Sequence, residues 1–269
     1  TYYFAGNTND NWVSWAGYYW RIIRINGDGT LRLIYNGTSK SQTGSGTQIG
    51  TSAFNSSYNN NMYVGFKYTS NNVHGTGTNS TILGELNEWY TTSGIDDYAD
   101  DIDMNAGFCN DRQPSTSNST SNGSGGTGTT TTYYGAYIRL YSGGSSSNAS
   151  PSFKCSNSSD LFTVSSSNKG NKALQYPIGL ITADEVAYAG GVVGSSNSSY
   201  YLYTNSYYWT MSPRDFSSGN ARVFRVNSDG LLGSIHVDDT YGVRPVINLK
   251  SSVQITGGNG SSGSPYVIG

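Results

Sequence analysis

The stretch YYWRIIRINGDGTLRLIYNG, residues 18–37, decides the fold class of this chain. Two runs rich in β-branched and aromatic side chains, at 18–25 and 30–35, flank the turn sequence NGDG at 26–29. Runs of this kind around a short connection that contains Gly are typical of an antiparallel hairpin. The sequence therefore predicts a β-hairpin here, and with it an antiparallel sheet.

The same turn pattern recurs far along the chain. RVNSDGLL at 225–232 repeats the spacing of RINGDGTL at 24–31. Asn and Asp hydrogen bond to a turn backbone and Gly accepts a positive φ, so the recurrence favours one turn chemistry used twice, with a duplicated motif as the alternative. Pro245 cannot donate a ladder hydrogen bond, so the run 242–250 is expected to be an edge strand or to carry a bulge. The tail 254–269 is expected to form a Gly-rich turn between two short strands.

Two helices are predicted beside the strands. STILGELNEWY at 80–90 carries its apolar side chains on one helical stripe, so one face is expected to pack on a sheet. ADEVAYA at 183–189 follows a capping box of Thr182 and Glu185, and Gly190 ends it. The elements together predict an α+β fold with twisted antiparallel sheets, two short helices and long Ser-, Thr- and Gly-rich loops.

The predicted loops lie around the two cysteines, Cys109 and Cys155. Residues 114–132 and 142–152 are low-complexity stretches that offer little apolar surface to bury, so we predict loops there. The run YYGAYIRLY at 133–141 between them is predicted to be a short strand. Two cysteines suit one disulfide in an oxidising compartment, which we expect here, and two buried thiols are the alternative.

Composition limits the class of protein. Only 12% of the residues are charged and the net charge is −2, so the chain offers no basic field to a nucleic acid. No apolar run is long enough for a membrane span, and the sequence begins at Thr1 without a signal peptide, so we expect a mature form. Ser, Thr, Asn, Gly and 23 Tyr suit an extracellular surface. No linker divides the sequence, so residues 1–269 are predicted to form a single domain.

Enzyme motifs are almost absent. The sequence has no Gly-x-Ser-x-Gly, His-Glu-x-x-His or Walker motif. GSGGTG at 123–128 matches a dinucleotide fingerprint, but it lies in a Ser/Thr-rich loop, so we expect an accidental match. His74 and His236 are the only imidazoles, and neither cysteine has a histidine nearby in sequence. We therefore predict a protein that is not an enzyme and that needs no cofactor.

Glycan attachment is a further expectation for a secreted chain. Asn-x-Ser/Thr sequons accept glycans in a eukaryotic secretory pathway, although a Ser-rich chain contains many of them by chance. They lie at Asn36, Asn55, Asn79, Asn118, Asn122, Asn148, Asn157, Asn197 and Asn259.

A group of arginines and aromatics is the best candidate for ligand binding. Arg222, Arg225 and Arg244 lie on predicted strands, close in sequence to Trp209 and Tyr241. An aromatic face that stacks on a ligand and an arginine that fixes its polar groups would form a carbohydrate or carboxylate pocket. The alternative is internal ion pairing, for which the nearby acids are Asp215, Asp229, Asp238 and Asp239.

The acidic run GIDDYADDID at 94–103 is a candidate for metal binding. Calcium prefers six to eight oxygens from alternate positions around a Gly, and the spacing of Asp96, Asp97, Asp100 and Asp101 differs from that pattern. In a helix these acids would stack like charges four residues apart. We therefore expect a solvated acidic loop or a frayed turn, with calcium binding as the weaker alternative.

Three motifs near the C-terminal end carry a family resemblance. YWTMSP at 208–213, ARVFRVNSDGLL at 221–232 and YGVRPVINLK at 241–250 resemble the C-terminal part of C-type-lectin-like domains. Formylglycine-generating enzymes and retroelement-diversified variable proteins share that fold. The chain also resembles an uncharacterised family of bacterial cell-surface proteins, through YWTMSP and through WVSWAGYYWRIIRINGDGTLRLIYNGT (12–38), AGFCNDR (106–112) and NKALQYPIGLITADEVAYAGG (171–191).

The resemblance implies a C-type-lectin-like domain whose loop-rich face varies to bind partners. It does not imply an enzyme, because formylglycine-generating enzymes carry reactive cysteines in the C-terminal region and no cysteine follows Cys155 here. Members of the surface family often follow a pilin-like hydrophobic leader, which this sequence does not contain.

Two functions outside the cell are therefore expected. The first is a self-assembling subunit of a filament, pilus-like appendage or surface layer. In it, the strand-like segments TYYFAG at 1–6 and SPYVIG at 264–269 would add to a sheet edge in their own or a neighbouring subunit. The second is an adhesin that binds glycans or cell-surface proteins through Tyr- and Arg-rich C-terminal loops.

Overall fold

A computed structural model describes residues 1–115, 125–141 and 145–269. The two gaps fall within the predicted low-complexity loops 114–132 and 142–152. Outside the described residues lie also the sequons at Asn118 and Asn122 and the first glycine of the fingerprint match, Gly123.

The described residues form strands, three α-helices and several short 3-10 helices. The strands are β1 (Tyr2–Tyr3), β2 (Trp12–Trp15), β3 (Tyr18–Ile25), β4 (Leu31–Tyr35), β5 (Gly50–Ala53), β6 (Lys67–Tyr68), β7 (Thr78–Asn79), β8 (Phe108–Cys109), β9 (Thr132–Tyr133), β10 (Leu161–Phe162), β11 (Tyr208–Ser217), β12 (Asn220–Val226), β13 (Leu232–His236), β14 (Thr240–Val243), β15 (Val246–Leu249), β16 (Ile255–Gly257) and β17 (Tyr266–Ile268). The α-helices are α1 (Thr81–Thr92), α2 (Gly135–Leu140) and α3 (Ala183–Ala189). The 3-10 helices are Gly44–Thr47, Asn61–Val64, Ile95–Asp101, Ser146–Asn148 and Ser158–Asp160.

The predicted hairpin is confirmed and lies in a seven-stranded sheet. β3 and β4 pair antiparallel, with Trp20 opposite Tyr35 and Ile25 opposite Leu31. The strand order is β15-β4-β3-β2-β17-β16, and β1 pairs with the C-terminal end of β3. β17 runs parallel to β2. The two terminal segments therefore both place a strand in the sheet of their own chain.

A six-stranded sheet contains most of the C-terminal strands. Its order is β13-β12-β11-β14-β5, and β9 pairs with β11. β11 is antiparallel to β12 and parallel to β14. Two further pairs, β8 with β10 and β6 with β7, form small two-stranded sheets.

The run 242–250 forms two strands, where the sequence predicted one. β14 ends at Val243 in the six-stranded sheet, and β15 begins at Val246 in the seven-stranded sheet. Pro245 lies between the two strands, where its missing N–H interrupts no ladder. The predicted edge position is confirmed, because β15 is the first strand of its sheet.

The two Asn-x-Asp-Gly turns have the same geometry. Gly29 and Gly230 have φ values of 84° and 79°, in the left-handed region that Gly accepts without strain. The N–H of Gly29 donates to the carbonyl of Asn26, and the N–H of Gly230 donates to the carbonyl of Asn227. The predicted turn chemistry is thus confirmed at both places.

Both predicted helices are confirmed. α1 begins after Ser80, whose hydroxyl accepts a hydrogen bond from the N–H of Leu83. α3 has the predicted capping box of Thr182 and Glu185, and it ends at Gly190 with a φ of 128°. Capping therefore places the start of both helices within one or two residues of the prediction.

A third helix replaces a predicted strand. The run 133–141 is rich in aromatic and β-branched residues, which favour strands, but only its first residue belongs to β9. α2 follows and buries Ala136 and Leu140, which are four residues apart on one helical face. Burial of that face therefore overrides the local strand preference.

The two large sheets share a hydrophobic core. Trp20 comes from the seven-stranded sheet and Trp209 from the six-stranded one, while Leu86 of α1 and Val186 of α3 join the same cluster. The fold is therefore mixed α and β, built mostly from sheets with few short helices. In the described parts of the chain, no helix is both long enough and apolar enough to cross a membrane.

Candidate functional site

Arg222 forms an ion pair inside the protein. Its Nε lies 2.7 Å from Oδ1 of Asp215, and Arg214 contacts the same carboxylate. Asp215 is fully buried, so it depends on these guanidiniums to keep its charge in the interior. Burial raises the pKa of Asp215 above its ordinary value, although both arginines oppose the rise. The alternative of ion pairing is therefore the correct one for Arg222.

Trp209 and Arg244 lie in the interior and not in a surface pocket. Both side chains are 0% exposed. The indole N–H of Trp209 donates to the carbonyl of Ser52 at 2.8 Å. Arg244 donates to the carbonyl of Tyr35 at 3.1 Å and to Oδ1 of Asn36 at 2.8 Å. The predicted pocket is wrong at these two positions, because strand patterns do not reveal that both faces of this sheet are covered.

Arg225 and Tyr241 do lie together, and Tyr207 joins them. The guanidinium carbon of Arg225 is 4.2 Å from the ring centre of Tyr241 and 4.5 Å from that of Tyr207. The ring of Trp209 packs 5.5 Å from that of Tyr241. Nε and Nη1 of Arg225 are buried and have no hydrogen-bond partner among the described residues. The predicted set thus reduces to one stacked arginine and its aromatic neighbours.

The acidic run forms the 3-10 helix Ile95–Asp101, which corrects the expected loop or frayed turn. Asp101 accepts a hydrogen bond from the indole N–H of Trp15 at 2.8 Å. Lys250 donates to the carbonyl of Asp100 at 2.5 Å. Within residues 1–115, 125–141 and 145–269, no group of three or more His, Cys, Asp or Glu side chains could hold a metal ion. Calcium binding at Asp96, Asp97, Asp100 and Asp101 therefore gains no support from the placement of these side chains.

The predicted disulfide is confirmed. Cys109 and Cys155 are bonded, with their Cα atoms 5.7 Å apart. Beside the bridge, Arg139 lies 2.6 Å from Asp111 and 2.8 Å from Asp184. The pair with Asp184 joins α2 to the N-terminal turn of α3, and the pair with Asp111 joins α2 to the loop after β8.

His74 takes part in a second ionic cluster. Its Nδ1 lies 3.0 Å from Oδ2 of Asp160, whose Oδ1 accepts a hydrogen bond from Nε of Arg112 at 2.8 Å. The Nε2 of His74 lies 3.2 Å from the side-chain amide of Asn157. A His–Asp pair is half of a hydrolytic triad, but Nε2 here faces an amide, where a triad needs a nucleophilic hydroxyl or thiol.

A cleft that the sequence did not predict lies between several loops. Its volume is about 410 Å³, and its walls come from the loops at 7–9, 41–43 and 198–204. Trp12 of β2 and Arg21 of β3 also line it. We call this feature the Arg21 cleft. Among the described residues, no Asp or Glu lines it.

Arg21 is held in a fixed position in this cleft. Arg21 is only 6% exposed. Nε donates to Oδ1 of Asn11 at 2.7 Å, and Nη2 donates to the carbonyl of Thr8 at 2.9 Å. The guanidinium carbon lies 4.2 Å from the ring centre of Trp12 and 5.2 Å from that of Tyr201. Stacking and hydrogen bonding therefore leave Nη1 as the guanidinium nitrogen without a protein acceptor among the described residues.

The electrostatic environment of the cleft is positive. Burial lowers the pKa of Arg21 to about 10, and Arg244 contributes to the lowering while Tyr201 and Asp10 oppose it. Arg21 therefore remains charged at neutral pH. Arg244 donates to Asn36, which lines the cleft. The arrangement can offer a ligand aromatic faces, amides, hydroxyls and a positive charge.

Sequence reasoning missed the cleft for a topological reason. The loops 7–9, 41–43 and 198–204 are far apart in sequence, and only the folded sheets bring them together. One signal was present, because Arg21 directly follows the three aromatic residues 18–20.

The comparisons with known proteins identify a family. A family model described as Domain of unknown function (DUF6273) matches residues 114–251, about half of the chain, so the chain belongs to this family. The matched stretch includes the wall at 198–204 but not the loops at 7–9 and 41–43. Neither a curated protein nor a solved structure matched the chain.

Proposed function

We propose that this chain is a non-enzymatic binding domain outside the cell, an adhesin that recognises a glycan in the Arg21 cleft. Sugars combine hydroxyl groups with apolar C–H faces. A site for such ligands needs aromatic surface together with a few fixed polar groups. Trp12 and Tyr201 supply the rings, and the loops at 41–43 and 198–204 supply hydroxyl and amide groups.

The fixed geometry of Arg21 is the observation that carries this proposal. A guanidinium that is already stacked and hydrogen bonded loses little conformational entropy when a ligand binds. Trp12 and Tyr201 flank it, which gives the cleft a rigid floor. Polar and aromatic groups that are already held in position around one concave space are typical of a ligand-binding site.

An extracellular setting is part of the proposal. The Cys109–Cys155 disulfide supports it, because such bridges persist in oxidising compartments. The low charge content and the many Tyr, Ser and Thr residues agree with this setting.

The test is a glycan array, followed by titration calorimetry with the sugars that bind. Thr43 is an exposed lining residue with an extended backbone, φ −135°, so Thr43→Trp fills the cleft without disturbing the core. We expect this variant to weaken binding at least about tenfold, which is about 1.4 kcal/mol. The matched control is Thr91→Trp, an exposed position on α1 outside the cleft. A silent array with a folded wild-type chain would overturn the proposal.

A second candidate function is self-assembly into a filament, pilus-like appendage or surface layer. β16 is the last strand of the seven-stranded sheet. On the hairpin that it forms with β17, Ile255 is 58% exposed and Val267 is 43% exposed. An edge strand with exposed apolar residues is a template for pairing with a second copy of the chain. Homo-assembly would therefore use the C-terminal hairpin.

Light scattering and negative-stain electron microscopy test this assembly. Ile255→Lys places a charge on the edge and should abolish oligomers, whereas Ser252→Lys, an exposed position before the strand, should leave them intact. A wild-type chain that stays monomeric at high concentration would refute the second candidate.

We also propose that the fold is C-type-lectin-like. The motifs 208–213 and 221–232, on which the resemblance rests, fall largely in the paired strands β11 and β12. The resemblance to bacterial cell-surface proteins agrees with the proposed location. An experimental structure that fails to superpose on a C-type-lectin-like domain would refute this part of the proposal.

A further inference from the structure

Most buried or half-buried arginines of this chain lie beside a carboxylate. This is the usual arrangement, because moving an unpaired charge out of water is costly. The pairs are Arg24 and Arg32 with Glu185, Arg112 with Asp160, Arg139 with Asp111 and Asp184, and Arg214 and Arg222 with Asp215.

Arg21 and Arg244 differ from these arginines. They are 6% and 0% exposed, and neither forms an ion pair with a described residue. Their hydrogen-bond acceptors are neutral oxygens, such as Oδ1 of Asn11 for Arg21 and Oδ1 of Asn36 for Arg244. Burial lowers the pKa of both guanidiniums below the ordinary arginine value.

The unpaired guanidiniums of Arg21 and Arg244 both contribute positive charge to the Arg21 cleft. Arg21 lines the cleft directly, and Arg244 is hydrogen bonded to Asn36, which also lines it. Asp10 is close enough to influence Arg21, but it is exposed, so water screens its charge. The cleft therefore combines a positive field with a lining that, in the described part of the chain, contains no acid.

We infer that the ligand of the Arg21 cleft is an acidic sugar, whose carboxylate or sulfate oxygen accepts a hydrogen bond from Nη1 of Arg21. The sugar ring packs against Trp12 or Tyr201. The inference rests on the proposed function and names its ligand class. An oxyanion supplies the negative charge that Arg21 and Arg244 lack within the protein, and a charge-assisted hydrogen bond is stronger than a neutral one.

Titration calorimetry with matched probes tests the inference. The acidic probes are glucuronic acid and glucose 6-sulfate, and their neutral counterparts are the methyl ester of glucuronic acid and glucose. We expect at least one acidic probe to bind about tenfold or more tightly than its neutral counterpart at low salt. The advantage should shrink at an ionic strength of about 1 M, where the Debye length is about 3 Å.

A pair of variants separates charge from shape. Thr43→Glu and Thr43→Gln place side chains of nearly equal size at an exposed lining position. The Glu variant should bind the acidic probe about threefold to tenfold more weakly than the Gln variant, because like charges repel. The two variants should bind a neutral probe equally.

The outcomes distinguish the inference from the proposed function. Tighter binding of an acidic probe that Thr43→Glu weakens supports the inference, and the preferred probe identifies the oxyanion as carboxylate or sulfate. Neutral probes that bind as tightly as acidic ones would overturn the inference while glycan binding stands. If no probe binds and the glycan array is also silent, the proposed function itself fails.

Discussion

The Nε of Arg32 lies 2.6 Å from Oε1 of Glu185, and both side chains are 1% exposed. Arg24 adds a second contact to the same carboxylate oxygen at 3.1 Å. The other oxygen of Glu185 accepts a hydrogen bond from the N–H of Thr182 at 2.9 Å. One carboxylate thus completes the capping box of α3 and also joins that helix to β3 and β4.

Loss of this carboxylate should destabilise the fold strongly. Glu185→Gln leaves Arg32 buried without its acid, and breaking a buried pair costs about 3 to 5 kcal/mol. The free energy of unfolding from urea titration measures the loss. Glu85→Gln, at an exposed position of α1, should change stability by less than about 0.5 kcal/mol. A loss of that small size in Glu185→Gln would refute the role given to the ion pair.

The same residue predicts a pH dependence. Burial alone would raise the pKa of Glu185, but Arg32, Arg24 and the N–H of Thr182 lower it below its ordinary value. The stabilisation is therefore fully present above about pH 4.3, the unfolded value, and is lost as the pH falls through the lower folded pKa. The difference in stability between wild type and Glu185→Gln should narrow in that acidic range. A constant difference down to acidic pH would contradict this prediction.

Reduction of the disulfide should also cost stability. Cys109 and Cys155 are 46 positions apart, so the bridge restricts a long loop in the unfolded chain. The chain-entropy model predicts a loss of about 3 to 4 kcal/mol for the double Ser variant. Thermal unfolding with and without reductant checks this, and the double variant should not respond to reductant. An unchanged melting temperature on reduction would refute it.

The two equivalent turn glycines should differ in their tolerance of Ala. Both have positive φ, so Gly29→Ala should cost about 1 to 2 kcal/mol from strain. At Gly230 an added Cβ would lie only 1.7 Å from the carbonyl oxygen of Asn197. At Gly29 the nearest atom, Cβ of Ser251, is 3.1 Å away. We therefore expect Gly230→Ala to destabilise more by urea titration, and equal losses would be inconsistent with this contact.

Arg225 and Arg244 form a matched pair for replacement by Met. Arg225 has no hydrogen-bond acceptor in the described structure, so Arg225→Met should be neutral or slightly stabilising. Arg244→Met leaves Oδ1 of Asn36 and the carbonyl of Tyr35 without a donor, at about 1 to 3 kcal/mol for each buried group. Chemical unfolding of both variants measures the contrast. A larger loss of unfolding free energy for Arg225→Met than for Arg244→Met would contradict this prediction.

Local features of the fold were predictable from the sequence. The Asn-x-Asp-Gly turns fix both hairpins through the φ of a single glycine each, and the capping box defines α3 from Thr182 onward. These features depend on neighbours in sequence, so no knowledge of the tertiary structure is needed. α2 was not predictable in this way, because the tyrosines of the run 133–141 favour a strand and only packing of Ala136 and Leu140 decides for a helix.

The candidate site was predicted only in part. Local sequence identified Arg225 and Tyr241 as neighbours of Trp209, and the structure places these three together. It could not show that Trp209 is covered by the chain, because coverage depends on β5, which is distant in sequence and supplies the carbonyl of Ser52. The Arg21 cleft was not predicted for the same reason, because its walls come together only when the sheets form.

The parallel pairing of β17 with β2 has a consequence for the folding pathway. These strands come from opposite ends of the described sequence, and β15 pairs with β4 over a similar distance. A high contact order of this kind slows folding, because much loop entropy is lost before the contacts form. While the chain is being synthesised, the edge of β2 that later pairs with β17 has no partner strand. In the interval before β17 is made, this unpaired edge of β2 is open to pairing with a wrong strand.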